Sequence, residues 1–229
     1  MLENSVVSHF WVAAPPFCSS TILVSSTALE SATSRILAQC AVYDLAGALV
    51  RDLEVEFPAN EVGVLELEPF LIGLKTQSGL AHGHVVIRSS EGTRHFCRQQ
   101  VGDHTDLISS PKLFKSREMA FVPLLLGAGR AHLLTLVNTD SSAGQVVVRL
   151  LYSNRSPEFT IDLPAKGSRV VSLEDELLST FDDHSWRKGV MQGYVRISPR
   201  VQSSVLFQVI EQYPGEGENQ VKYRTLLSW

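Results

Sequence analysis

The chain has 229 residues, of which 44% are apolar and 19% charged, and a formal net charge of −4. That balance excludes wholesale disorder and leaves enough apolar material for a buried core in one or two domains. It also argues against a dedicated nucleic-acid binder, which needs concentrated positive charge to displace the counterions of phosphate.

The opening stretch MLENSVVSHFWVAAPPFCSS has no basic segment followed by a clean apolar one, so no secretory signal is expected. A first β-rich run, VVSHFWVAA (6–14), is followed by AQCAVYDLAG (38–47), which ends in turn formers. In LEVEFPANEVGVLELEPFL (53–71) the apolar residues recur at every second position on both sides of Pro58. That is the period of a strand with one buried face. Proline has no N–H to donate and stops the ladder, so the segment reads as strand, turn and second strand, paired as a hairpin. LEPFLIGL (67–74) reads as a short helix or turn, and HGHVVIRSS (82–90) and RHFCRQQ (94–100) as further strands. GDHTDLISSPKLFKSRE (102–118) is polar, holds Pro111 and carries little periodicity. The boundary falls there: a first domain over 1–105, a linker over 106–118 and a second domain over 119–229.

The second half says the same things again. MAFVPLLL (119–126) echoes 6–14, and QVVVRLLYSN (145–154) echoes 38–47. At an offset of 106, FTIDLPAKGSRVVSLEDELL (159–178) repeats the Pro58 segment, with Pro164-Ala165 on Pro58-Ala59. SLEDELLSTF (172–181) is the best helical pattern, with Ser172 as N-cap and Glu174 to Glu176 at the positive end of the helix dipole. QGYVRISPR (192–200) and SVLFQVIEQ (204–212) complete the correspondence, and NQVKYRTLLSW alternates around Val221, Tyr223 and Thr225 as a closing strand. A repeat of this length is far longer than a solenoid unit and matches one β-sandwich domain. The fold class that follows is all-β: two tandem antiparallel β-sandwich domains from an internal duplication, with at most one short helix per repeat.

The longest apolar stretch, 121–137, is broken by Arg130 and His132 and is too short to span a bilayer. The three cysteines, Cys18, Cys40 and Cys97, form no CxxC pair, and Cys40 and Cys97 lie inside apolar strands. Free, buried thiols in a reducing compartment are expected, hence a cytoplasmic location.

The strand order VVVRLLYS (146–153), DLPAKGSRVVSLEDEL (162–177), GYVRIS (193–198), SSVLFQV (203–209) and KYRTLLSW (222–229) resembles the sensory rhodopsin transducer family. The resemblance covers about 100 residues of the second half and, more faintly, the first. It implies a compact all-β sandwich and an adaptor role, since members of that family are soluble oligomers that dock on the cytoplasmic face of a membrane photoreceptor. Two copies in tandem depart from the family pattern, and no contact residue transfers.

Candidate chemistry is sparse. His82-Gly83-His84 puts two imidazoles on one face of a strand, a start for a metal site if a neighbouring strand adds a third ligand. The plainer reading is two surface histidines at an exposed strand end. No GxSxG occurs, Gly127-Ala128-Gly129 lacks the third glycine of a dinucleotide loop, and the carboxylate pairs at Asp182-Asp183 and Glu174 to Glu176 fit a loop and a helix start. No cofactor is expected. The loops 153–157, 182–189 and 213–219 are expected at one end of the second sandwich, bringing together Arg155, Trp186, Arg187 and Tyr213. An aromatic face beside guanidinium donors suits a sugar or a peptide side chain. Trp186 has a plainer role too, as a lid on the core. The function expected is a non-enzymatic protein–protein adaptor or structural module, homo-oligomeric, with a protein partner, a membrane-associated one included. The alternative is a carbohydrate- or small-ligand-binding module using that loop end.

Overall fold

In the computed structural model, which describes residues 5–26, 35–74, 76–77, 79–181, 187, 189–200, 203–215 and 221–226, the alternating segments are strands. The first half contains β1 (Ser5–Ala13), β2 (Cys18–Ser26), β3 (Arg35–Tyr43), β4 (Leu49–Pro58), β5 (Gly63–Glu66), helix α1 (Glu68–Leu71), β6 (Thr76–Gln77), β7 (Leu80–Ser90), β8 (Thr93–Val101) and β9 (His104–Ser109). One sheet has the order β1-β7-β3-β4, with β6 also on β7, and the other β5-β2-β8-β9. The second half contains β10 (Ala120–Leu126), β11 (Ala131–Asn138), β12 (Gly144–Tyr152), β13 (Glu158–Leu163), β14 (Ser168–Ser172), helix α2 (Leu173–Phe181), β15 (Met191–Pro199), β16 (Val205–Pro214) and β17 (Val221–Leu226). Its sheets run β10-β15-β12-β13 and β14-β11-β16-β17. The second pair of orders is the first pair over again, strand for strand. The fold is therefore all-β, in two repeats of one antiparallel two-sheet topology.

The chain divides into two compact units. Unit 1 comprises residues 1–101, 105–112 and 166–168, and unit 2 comprises 102–104, 113–165 and 169–229. In unit 1 the core gathers Phe10, Val12, Ile22, Val24, Val42, Leu67, Leu71, Val85 and Cys97. In unit 2 it gathers Val122, Leu134, Leu136, Val148, Leu150, Leu173, Leu177, Val195, Phe207 and Val209.

Two expectations need correction. The segments around Pro58 and Pro164 are strand, turn and strand, but not hairpins. β4 pairs with β3 whereas β5 pairs with β2. Likewise β13 pairs with β12, and β14 lies beside β11. Each proline turn carries the chain from one sheet to the other. Alternation identifies the buried face of a strand but not its partner, because either sheet of a sandwich buries one face. The second correction concerns the linker placed at 106–118. It begins inside β9, where Ile108 is buried, and Phe114 exchanges backbone hydrogen bonds with Val205 at 2.9 and 2.8 Å. A strand with one buried residue has too little apolar rhythm to be noticed.

The glycines of the two HGH/QGY segments have a shared cause. A Cβ on Gly83 would lie 2.3 Å from the carbonyl oxygen of Tyr43, and one on Gly193 would lie 3.0 Å from that of Leu151. In both units the neighbouring strand's backbone closely approaches the glycine, at Gly83 so closely that only hydrogen fits and at Gly193 less tightly.

Candidate functional site

The inner face of the β11–β16–β17 sheet is built in cross-strand rows. Leu136 stands opposite Phe207, and Leu134 opposite Val209, which stands opposite Leu226. The next row, toward the turn before β11, is His132 opposite Glu211 opposite Arg224. Side chains two apart on a strand share a face, so three ionisable groups occupy the position where the apolar stack would add another layer. His132 and Glu211 are fully buried.

Helix α2 supplies the fourth member. The Ser172 hydroxyl accepts a hydrogen bond from the Asp175 N–H at 3.3 Å, the N-cap expected from the sequence. That start sets Glu174, which is buried, against β11. Its carboxylate accepts the His132 backbone N–H at 2.7 Å and His132 Nδ1–H at 2.5 Å. On the other side, His132 Nε2 faces Glu211 Oε1 at 3.6 Å. Arg130 donates to Glu211 Oε1 at 2.5 Å, and Arg224 Nε donates to Glu211 Oε2. Both guanidiniums also lie by the ring of Tyr213, Arg130 at 5.8 Å and Arg224 at 5.5 Å from its centroid.

Burial opposes charge on His132, but the hydrogen bond to Glu174 and the nearby Glu211 carboxylate outweigh it and raise its pKa above the ordinary histidine value. Burial likewise opposes charge on Glu211; the nearby His132 ring and the bonds from Arg224 and Arg130 overcome it and hold the carboxyl down at about 2. The row thus keeps a proton on His132 between two carboxylates, closed to substrate, beneath a half-buried Tyr213 and a half-exposed Arg224. Beside it, a groove of about 300 Å³ is lined by Pro123, Leu125, Tyr194, Arg224 and Leu226. In unit 1 the rows nearest the corresponding turn are Cys18–Val101 and Ser20–Gln99, which carry no charge.

The expected binding residues fall as follows. Tyr152 stands opposite Gly193, Leu126 opposite Met191, and Ala131 opposite Gln212. These registers put the described parts of the three predicted loops at one end of unit 2, which is also the end that holds the ionic row. Arg155 and Arg187 are exposed there, and Tyr213 is half-buried on its two arginines. Trp186 lies outside the described residues. His132, Glu174, Glu211, Arg130 and Arg224 were not singled out as site residues. The signal was present: charged residues at core-facing positions of otherwise apolar strands.

His82 and His84 do share a face, but they are fully buried rather than at an exposed strand end. His82 Nδ1 is 2.9 Å from the Ser168 hydroxyl. The Lys166 carbonyl can only accept, so His84 Nδ1 donates to it at 3.0 Å. Neutral His84 then accepts the Nδ1–H of His9 at Nε2, 3.0 Å away, and stacks against Tyr43. Burial, with His9 next to it, drops the pKa of His84 to about 3. Among the described residues no group of three or more His, Cys, Asp or Glu is placed to hold a metal. Another buried histidine, His95, joins Ser8 at 2.9 Å and Ser89 at 2.6 Å across the core of unit 1, and burial lowers its pKa to about 4. Both serines are buried, so this Ser–His–Ser group bridges the sheets and offers no accessible nucleophile. The three cysteines are free and buried, and burial raises Cys18 and Cys40 to about 12 and Cys97 further. Among the described residues no helix is long and apolar enough to cross a membrane.

No family model matches the chain, and no curated protein matches it. Among solved structures, Thermotoga maritima 1070 aligns at 13% identity over 51% of this chain and 96% of its own, with a TM-score of 0.38. Two structures of Bacteroides uniformis beta-glucuronidase 2 align over 99% of this chain: one bound covalently to cyclophellitol-6-carboxylate aziridine at 10% identity, the other a calcium-binding mutant at 9%. These alignments take in 26% and 27% of the enzyme chains, each with a TM-score of 0.17. At such scores the likenesses carry no argument about function.

Proposed function

We propose that this chain is a non-enzymatic protein-binding module. The observation behind the reading is an apolar strip on the outer face of the β10-β15-β12-β13 sheet. Phe121 is 46% exposed and Tyr194 50% exposed. Tyr194 stands between Pro123 on β10 and Leu151 on β12, and Met119 extends the strip past the start of β10. Scattered exposed apolar residues need no explanation, whereas Phe121 diagonal to Tyr194, with Arg196 in the row beside Phe121, groups two aromatics and a cation on a surface that a partner covers. The likeness of residues 119–229 to the sensory rhodopsin transducer family points the same way, toward an adaptor. The test is comparative affinity capture with the wild type and a Phe121→Asp, Tyr194→Asp double variant. A partner retained by the wild type and lost by the folded variant supports the reading; identical captured proteins sink it.

A second reading has its own observation. Tyr213, held between Arg130 and Arg224 at the loop end of unit 2, offers a flat apolar face and guanidinium donors to a small ligand such as a sugar. Titrating intrinsic fluorescence against a glycan panel decides it: a saturable change that Tyr213→Ala abolishes supports a carbohydrate site, and a flat response across the panel ends it.

A further inference from the structure

We propose that the open edge of β4 in unit 1 takes up an extended peptide as a further strand, and that the peptide it fits alternates cationic with apolar side chains. β4 ends its sheet and pairs on one side only, with β3, from Arg35 opposite Pro58 to Tyr43 opposite Leu49. Every second residue of an antiparallel pair turns its N–H and C=O away from the partner, so the other side of β4 presents unmade backbone bonds. Among the described residues nothing takes them up: residues 49–57 make no backbone hydrogen bond outside the β3–β4 ladder. The turns on either side of the strand, 44–48 and 59–62, belong to the described residues.

The two faces of β4 say what the added strand should carry. Asp52, Glu54 and Glu56 stand on the outer face at alternate positions, all exposed. Glu56 is in a loose surface pair with Arg35 at 3.9 Å, while among the described residues Asp52 and Glu54 accept no hydrogen bond and join no ion pair. On the inner face Leu53 and Val55 pack on the core of unit 1 but stay half-buried, whereas Phe57 is buried. A strand laid along this edge keeps the same spacing, about 6.6–6.8 Å between every second residue. Its cations then meet the three carboxylates, and its apolar residues cover Leu53 and Val55. Opposite charges across a strand pair attract and like charges repel, so the same carboxylates disfavour β4 of a second copy as the occupant. The counterpart edge in unit 2 lacks these features. β13 has six residues against ten in β4, and its Glu158 and Asp162 already accept from Arg149 and Gln145 of the neighbouring strand. Strand addition of this kind draws affinity from main-chain bonds and specificity from alternate side chains.

Fluorescence anisotropy with the full-length chain tests this. The probe is a labelled, end-capped peptide Lys-Val-Lys-Val-Lys-Val-Lys. It should bind saturably at one peptide per chain, and more weakly as salt is raised. Replacing each valine by proline keeps the charges and their order but removes the alternate N–H groups and bars a ladder; that peptide should bind at least about tenfold more weakly. Glu54 is exposed, so Glu54→Lys should melt with the wild type yet bind the alternating peptide about tenfold more weakly. Glu91→Lys makes the same change of net charge in the β7–β8 turn and should bind like the wild type. The Phe121→Asp, Tyr194→Asp variant should also bind like the wild type, which separates this edge from the apolar strip of unit 2. No saturable binding overturns the proposal. So does equal binding of the proline peptide, which would leave charge alone as the cause, or a loss in Glu91→Lys as large as that in Glu54→Lys.

Discussion

At the scale of single residues, the decisive feature is a carboxylate with no exposure and three cationic neighbours. Glu211 accepts from Arg130 and Arg224 and faces His132, and Glu211 and His132 themselves have no exposure. Breaking one member of such a buried set strands the others, at a cost of about 3–5 kcal/mol. Glu211→Gln is therefore expected to lose several kcal/mol in denaturant unfolding, tempered because Arg224 is half-exposed and can turn to water. Glu158→Gln is the contrast. Glu158 bonds Arg149 and Arg196 near the surface, with each side chain at least a fifth exposed, and losing it should cost under about 1 kcal/mol. Equal losses for the two variants would show that the ionic row contributes nothing special. The row was hard to see in sequence because its members are far apart: His132 and Glu174 are 42 residues apart, and Arg130 and Glu211 are 81. What the sequence offers is each charge separately, sitting at a core-facing position.

At the scale of elements, the strands and the duplication were legible because one-sided burial imposes a period of two, and both halves obey it. The proline turns were legible as turns. Their role as crossings between sheets was not, since partner choice is decided by long-range packing that local alternation does not encode. The helix α2 was readable from Ser172 and SLEDELLSTF, and α1, which starts at Leu67 without a side-chain cap, as the helix or turn of its copy LEPFLIGL. The two glycines, Gly83 and Gly193, were visible as matching letters, but their reason, the carbonyl of a neighbouring strand, is a tertiary contact. It yields a graded expectation. A methyl at Gly83 meets the Tyr43 backbone oxygen at 2.3 Å, which must move with the whole of β3, whereas at Gly193 the Leu151 oxygen lies at 3.0 Å and needs a shift of a few tenths of an ångström. Gly83→Ala should therefore destabilise by roughly 1–3 kcal/mol, in the range of overpacked interiors, and Gly193→Ala by clearly less. Thermal melts of the two variants check the order; a reversed order would mean that the repeats are not equivalent at this position.

At the scale of the whole molecule, the two units share a topology but differ in what their buried histidines do, and this makes them respond to acid in opposite ways. In unit 1, burial lowers His84 to about 3 and His95 to about 4. An unfolded histidine takes up its proton near about pH 6.5, so between there and the folded values the unfolded chain binds more protons. The contribution of these two residues is present near neutrality and lost as pH falls toward about 4. In unit 2, His132 is shifted up, so its contribution is complete below about pH 6.5 and is lost as pH rises through the raised value. Glu211, held at about 2 against an ordinary 4.5, keeps its contribution above the ordinary value and loses it only as pH falls from there toward 2. Between about pH 6.5 and 4.5, therefore, unit 1 weakens while unit 2 holds. Hydrogen exchange resolved by peptide, corrected for the intrinsic pH dependence of exchange, is the measurement. On going from about pH 7 to about pH 5, protection should fall in β1, β7 and β8 and persist in β11, β16 and α2. His95→Gln should remove much of the loss in β8 by taking away the titrating ring. Uniform loss of protection across both units would mean that the buried histidines do not govern the acid response, and that the ionic row at the end of unit 2 is not the stabilising layer its geometry implies.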